Sequence, residues 1–165
     1  KTLSLEADVV WTRWSMVDEE TVKFDDTDDP FIQAFYPSGK KTTERDWENT
    51  RQIRLGVEWE TMEWLTLRGG YFYDPSPIPE DNFDAEWTGA DKQTYSLGAG
   101  FDITENWTVD SVVQYTMVEE RTIGGESKNL NDSYSYDTGL GNEADVSAEA
   151  DGEIWGYGLT VSYTF

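Results

Sequence analysis

Residues 47–74 read WENTRQIRLGVEWETMEWLTLRGGYFYD. Ile53, Leu55, Val57 and Trp59 alternate with Arg54, Gly56, Glu58 and Glu60. After a short break at 61–63 the alternation resumes, with Leu65, Leu67, Gly69, Tyr71 and Tyr73 on one face and Thr66, Arg68, Gly70, Phe72 and Asp74 on the other. A period of two around a tight break is the signature of a β-hairpin. The strands are long, about ten to thirteen residues each, against about five or six in a soluble sheet. One face is apolar throughout and the other carries Arg and Glu in mid-strand. A soluble sandwich does not want charge there, because both inner faces build its core. A membrane barrel does, with lipid outside and a polar lumen inside.

The same pattern recurs on both sides of the hairpin. Leu3, Leu5, Ala7, Val9 and Trp11 mark a first strand; Tyr95, Leu97, Ala99, Phe101 and Ile103 a fourth; Trp107, Val109, Val113, Tyr115 and Met117 a fifth. Trp155, Tyr157, Leu159, Val161, Tyr163 and Phe165 mark the last. The expectation is six antiparallel strands near 2–15, 47–60, 64–74, 92–103, 107–119 and 152–165, paired in sequence order. Residues 16–46, 74–91 and 119–151 read as long polar loops, and Thr104, Glu105 and Asn106 as a tight turn. Long and short connections alternate strictly. Outer-membrane barrels put long loops outside the cell and short turns in the periplasm, which places the C-terminus at the periplasmic end. Trp59, Trp64 and Trp107 flank the short turns. Trp11, Trp14, Tyr71, Tyr73, Tyr115 and Trp155 lie towards the long loops, as two interfacial girdles require.

Composition narrows the function. Among 165 residues, 12 are basic and 34 acidic, a net charge of −22. Nucleic-acid binding wants a basic surface, so that partner is not expected. Disorder is disfavoured by an aromatic content of 15% that recurs in strand patterns. There is no Cys and no His, so a Ser-His-Asp triad, a Cys-His pair and a His-ligated zinc are excluded within this chain. No cofactor, no resident metal and no enzymatic activity are expected. The mean hydropathy of −0.67 would ordinarily indicate a soluble protein, but barrel strands escape such averages because half their residues face the lumen. Gly69–Gly70 and Gly124–Gly125 lack the G-x-x-x-x-G-K-[ST] pattern of a phosphate-binding loop.

Three segments carry a family resemblance: WENTRQIRLGVEW (47–59), WLTLRGGYFYD (64–74) and the proline run Asp74-Pro75-Ser76-Pro77-Ile78-Pro79. They resemble the outer-membrane long-chain fatty acid transporter family, which includes aromatic-hydrocarbon uptake channels. The ending VSYTF is also similar. Residues 88–92 depart from the family pattern, with Lys92 where relatives carry Arg. The resemblance implies an all-β, antiparallel up-and-down transmembrane barrel of fourteen strands plugged by an N-terminal hatch. Six strands cannot close a barrel, since the smallest single-chain examples have about eight. Residues 1–165 are therefore read as the C-terminal portion of one outer-membrane β-barrel domain in a Gram-negative bacterium. The hatch and the lateral opening would lie upstream. The function implied is passive uptake of hydrophobic compounds such as long-chain fatty acids or hydrocarbons; the alternative is another outer-membrane barrel, porin-like or structural, without a specific hydrophobic ligand. Tyr163-Thr164-Phe165 fits the ending that the barrel assembly machinery recognises, and lipid and lipopolysaccharide are the surroundings expected.

The candidate ligand contacts are basic. Arg54 and Arg68 face the lumen on adjacent strands and are expected at similar depth, where two guanidinium forks suit a fatty acid carboxylate. The competing reading, which is preferred, makes them part of a structural ladder with Glu58, Asp110 or Asp102. Lys41 and Arg45, with Lys40, are weaker candidates at the lumen mouth. Asp25, Asp26, Asp28 and Asp29 lack the Gly and distal Glu of a calcium loop, so they read as a solvated acidic loop, with cation bridging to lipopolysaccharide as a minor reading. Carboxylates are too abundant for any pair to be singled out as catalytic.

Overall fold

The computed structural model describes residues 2–25, 28–86, 89–132 and 145–165. In chain order the strands are β1 (Leu3–Thr12), β2 (Glu19–Lys23), β3 (Lys40–Glu44), β4 (Thr50–Met62), β5 (Leu65–Asp74), β6 (Lys92–Asp102), β7 (Trp107–Gly124) and β8 (Ser147–Tyr163). Six form one antiparallel sheet in the order β1-β4-β5-β6-β7-β8, and β2 and β3 pair separately. The six expected strands are thus present, and each pairs with the next of the six along the chain. Among the described residues the sheet is open, with β1 and β8 at its edges.

Alternation and register together assign the faces. Leu5, Val57, Gly69, Leu97, Val113 and Tyr157 sit side by side across all six strands. The adjacent row on the other face is Glu6, Gly56, Gly70, Ser96, Gln114 and Gly156. The first face leaves large apolar groups uncovered, Leu5 at 76% exposure and Leu159 at 71%. Apolar surface on that scale marks an interaction with protein or membrane; in a barrel wall it meets lipid.

Aromatic pairs border this apolar face. At the short-turn end Trp64 stacks on Phe101 and Trp107 packs on Tyr163 at 4.8 Å. Towards the long loops Tyr71 packs on Tyr95 at 5.3 Å and Tyr115 on Trp155 at 4.7 Å. From Trp107 to Tyr115 the strand advances about 26 Å at ~3.3 Å per residue. Strand tilt reduces that rise, leaving a band of the order of the ~25 Å apolar belt of outer-membrane barrels.

The turns explain the register. Between β4 and β5 only Glu63 and Trp64 are unpaired, and a bulge between Glu60 and Met62 turns Thr61 so that its hydroxyl donates to the Leu65 carbonyl at 3.0 Å. Between β6 and β7 the Thr104 hydroxyl accepts from the amides of Asn106 and Trp107, a side-chain turn. Asn106 then donates from its side chain to the Thr164 carbonyl at 2.8 Å and fastens the C-terminal strand to that turn.

The long connections correct the sequence reading. The segment taken as one loop at 16–46 contains β2, β3 and the helix α1 (Pro30–Phe35), capped by Asp29, whose carboxylate accepts from the Phe31 amide at 2.7 Å. Asp29 is therefore a helix cap, and among the described residues no cluster of acids is arranged to hold a metal; Asp26 lies outside them. The strand expected at 107–119 continues to Gly124, and the last strand begins at Ser147 rather than near 152. Beyond Val118 the pairing shifts register, so period-two alternation breaks at Glu119–Glu120 although the ladder continues. Gly125 ends β7 with φ +98°, where a Cβ would collide with Asp145. The first strand stops at Thr12, short of the expected 15, because the chain turns through a 3-10 segment at Trp14–Met16.

The face assignment predicts opposite behaviour for two sets of spin labels in the intact, membrane-inserted protein. Labels at Leu55, Val57, Leu67, Leu97, Val113, Leu159 and Val161 are expected to be relaxed by oxygen dissolved in the bilayer. Labels at Arg54, Glu58, Arg68, Asp110, Gln114 and Thr160 are expected to respond to a polar relaxant. A one-residue slip would exchange the two sets, so an inverted pattern rejects the orientation.

Candidate functional site

The polar face is built in rows. At one level Ser4, Glu58, Arg68, Gly98, Val112 and Gly158 lie side by side, and at the next Glu60, Thr66, Gly100, Asp110 and Thr160. Arg68 joins the two rows. Its Nε donates to Glu58 at 2.7 Å and its NH1 reaches across β6 to Asp110, also at 2.7 Å. The reach is open because β6 carries glycine there. A Cβ on Gly100 would lie 2.7 Å from the Asp110 carboxylate and 2.9 Å from the Arg68 guanidinium. Arg68 is therefore a member of a three-strand ion ladder.

Arg54 does not sit beside it. Antiparallel pairing through the two-residue turn places Arg68 opposite Glu58 and Arg54 opposite Phe72. The two arginines share a face but lie four positions apart along β4, about 13 Å at the strand rise. The expectation of similar depth is corrected: the turn, not the spacing from the hairpin tip, sets who faces whom. The Arg54 guanidinium lies 5.0 Å over the Phe72 ring, with one long hydrogen bond of 3.4 Å to Gln52. Its partner on β1 is Asp8, yet no ion pair forms between them.

On this face Arg54, Arg68 and Lys92 stand against Glu6, Asp8, Glu58, Glu60, Asp74, Asp102 and Asp110. Between the charges the wall is low. Gly56, Gly70, Gly98, Gly156 and Gly158 are not buried, and Phe72, Val112 and Ile154 are among its apolar side chains.

Above the sheet, the long connections are tied into one cap with its own buried centre. Ile78, Phe83, Ala90 and Ile123 are its buried apolar residues. Arg45 is 4% exposed, donates to Glu20 through Nε at 3.1 Å, and pairs with Asp84 through NH1. Burial opposes its charge, but the hydrogen bonds it donates to Glu20 and Asp84 outweigh that and raise its pKa above the ordinary arginine value. Asn82 donates to the Arg45 carbonyl and to Asp46, both at 3.1 Å. Asn129 donates to the carbonyls of Glu44 and Asn82, both at 2.9 Å, and Ser127 donates to the Phe83 carbonyl. Arg121 donates to the carbonyls of Gly89 and Ile78 and lies 5.3 Å over the Phe83 ring. Lys41, opposite Val22 on the β2–β3 hairpin, borders a cavity of about 800 Å³ shared by all three long connections, with Tyr36, Ala85, Lys128 and Leu130.

Of the four basic candidates, the structure commits Arg68 and Arg45 to two carboxylates each and leaves Arg54 and Lys41 without one among the described residues. Asn82, Ser127, Asn129 and Arg121, which knit the cap, were not legible in the sequence. None lies in a motif, and each works through carbonyls far away in the chain.

Replacing Arg45 by Met removes the cation between two carboxylates, one of them buried. The expected cost is about 3 kcal/mol or more, as when one partner of a buried pair is deleted. Protease nicking in residues 75–91 should rise sharply while the barrel keeps its heat-modifiable mobility on gels. Replacing Arg68 by Gln in the exposed ladder is expected to cost only about 1 kcal/mol, measurable as a small drop in denaturant midpoint. Equal effects of the two changes would contradict this division.

The whole chain, residues 1–165, matches the family model described as outer membrane protein transport protein (OMPP1/FadL/TodX). It is 29% identical over 143 residues to outer membrane protein P1 of Haemophilus influenzae, a match covering 81% of this chain and 28% of that protein. A protein named as an outer membrane protein in Neisseria meningitidis serogroup B is 23% identical over 146 residues, covering 86% of this chain and 31% of the relative. A crystal structure of a Pseudomonas aeruginosa FadL homologue shares the fold, with a TM-score of 0.65 at 18% identity over 98% of this chain and 32% of that chain. The chain thus spans less than a third of the length of these relatives. The open six-stranded sheet is part of a barrel wall, its apolar face towards lipid and its polar face towards the lumen, in the outer membrane of a Gram-negative bacterium. The chain belongs to the OMPP1/FadL/TodX family of outer membrane transport proteins.

Proposed function

We propose that the intact protein containing this chain takes up hydrophobic compounds across the outer membrane by diffusion through its lumen. One observation carries this most directly: a sheet of six consecutive barrel strands in a chain matched from end to end by a family of outer membrane transport proteins. The low, glycine-rich inner face supports it, because bare backbone leaves room along the wall for a molecule to pass. The absence from the sequence of any phosphate-binding loop is in keeping with a passive route.

Within this reading the ion ladder of Glu58, Arg68 and Asp110 holds the wall and the Arg45 cluster holds the cap. Arg54 and Lys41 keep open N–H groups and are the contacts left for a polar end of a ligand. The strand end at Tyr163 and Phe165, with rings 5.0 Å apart and Phe165 fully exposed, is offered to the assembly machinery.

The test is uptake by the intact protein in lipopolysaccharide-containing proteoliposomes, with protein-free vesicles subtracted. A labelled hydrophobic compound is expected to enter down its gradient without nucleotide, and at the same rate after a proton gradient is collapsed. Entry no faster than in protein-free vesicles would leave a structural barrel or general pore as the better account.

A further inference from the structure

We infer that this wall favours uncharged hydrophobic molecules over ionised carboxylates, so that the cargo of the intact protein is a neutral, hydrocarbon-like compound rather than a fatty acid anion. The inference rests on the uptake function proposed above and narrows its substrate class.

The first ground is the disposition of the cations. A carboxylate is well held by two guanidinium or ammonium groups converging on it. Arg68 has Glu58 on one side and Asp110 on the other at 2.7 Å. At the cap, Arg45 is held by Glu20 and Asp84. Arg54 is four positions from Arg68, lies over Phe72, and has Asp8 as its β1 neighbour. On the inner face of the sheet Arg54 and Arg68 are thus held apart; in the cap Lys41 and Lys128 border one cavity, where Glu44, Asp84, Glu86 and Asp132 outnumber the cations.

The second ground is the sign of the field. Seven carboxylates against three cations leave the inner face negative. The cap continues the same sign. A cleft of about 530 Å³ lies against the second and third long connections, and Glu48, Glu80, Asp81, Asp91, Glu119 and Glu120 border it. Its one cation, Arg121, is turned to backbone carbonyls. Low-dielectric walls of one sign focus their field into the space between them and deplete ions of that sign.

The third ground is what a neutral molecule meets on the same wall. Gly56 and Gly156 let it approach the backbone, and Phe72, Val112 and Ile154 offer apolar contact with no charge to desolvate.

A matched pair of probes isolates the charge: a long-chain fatty acid and its methyl ester, with the same hydrocarbon chain. In lipopolysaccharide-containing proteoliposomes holding the intact protein, with protein-free vesicles subtracted, the ester is expected to enter about tenfold faster or more at neutral pH. Raising salt should narrow the ratio by screening the wall. Glu6 and Glu60 take part in no ion pair among the described residues. The double change Glu6→Gln, Glu60→Gln should lower the ratio about fourfold, about twofold for each charge at ~10 Å in a water-like medium, while leaving the ester rate unchanged. A heat-modifiability gel confirms that the variant is folded, and the salt series on the unaltered protein tests the same point without it. An acid that enters as fast as its ester, or a ratio that neither salt nor the substitutions move, overturns the inference and leaves the uptake reading standing. Entry of neither probe overturns the uptake reading itself.

Discussion

A chain in hydrocarbon has no water to satisfy its backbone, so each N–H and C=O must find a partner within the protein. That constraint governs this sheet. It makes the strands long, it keeps each of the six beside the next along the chain, and among the described residues it limits breaks in the ladder to two bulges, at Glu60–Met62 and Val118–Arg121. Once the ladder is set, side chains have only two directions. The apolar one goes to lipid and the other becomes the inner wall, which is why a chain with a net charge of −22 and a negative mean hydropathy is built to stand in a membrane.

The inner wall then faces a problem that the lipid face does not have. Charges cannot be placed there freely, because neighbouring strands bring them together at about 5 Å. The ladder of Glu58, Arg68 and Asp110 is one solution. A single guanidinium binds two carboxylates from different strands, and glycine at 98 and 100 on the intervening strand gives it a clear path. The glycines thus serve two ends, packing the ion pair flat and keeping the wall low. In the row of Asp8 and Arg54, Thr94 and Thr116 pair through hydroxyls 2.8 Å apart and add no charge.

The cap follows a different rule. In the membrane belt the apolar residues point outward; above it the described core of Ile78, Phe83, Ala90 and Ile123 is turned inward as in a soluble protein. That core is small, so polar contacts to main-chain carbonyls do much of the joining. Arg45, Asn82, Ser127, Asn129 and Arg121 each tie one long connection to another. Buried donors that lose their carbonyls here are left unsatisfied.

The strands, their faces and the two aromatic borders were legible from alternation, because the ladder imposes period two on any sequence that is lipid on one side and lumen on the other. Ile53 to Trp59 and Leu65 to Tyr73 carried that signal without help from the rest. The family was legible as a resemblance in the proline run after Asp74 and the hairpin before it. Three things depended on the folded structure. The depth of Arg54 relative to Arg68 depended on the turn at Glu63–Trp64 and the bulge at Thr61, since antiparallel register is set by the turn and not by spacing within one strand. The upper parts of β7 and β8 were hidden because the register shift past Val118 breaks the alternation while the hydrogen bonds go on. The roles of Arg45 and Arg121 were hidden as well, because a buried arginine is defined by the carboxylates and carbonyls that close around it, here from residues 25 to 43 positions away in the chain, and no local pattern records them.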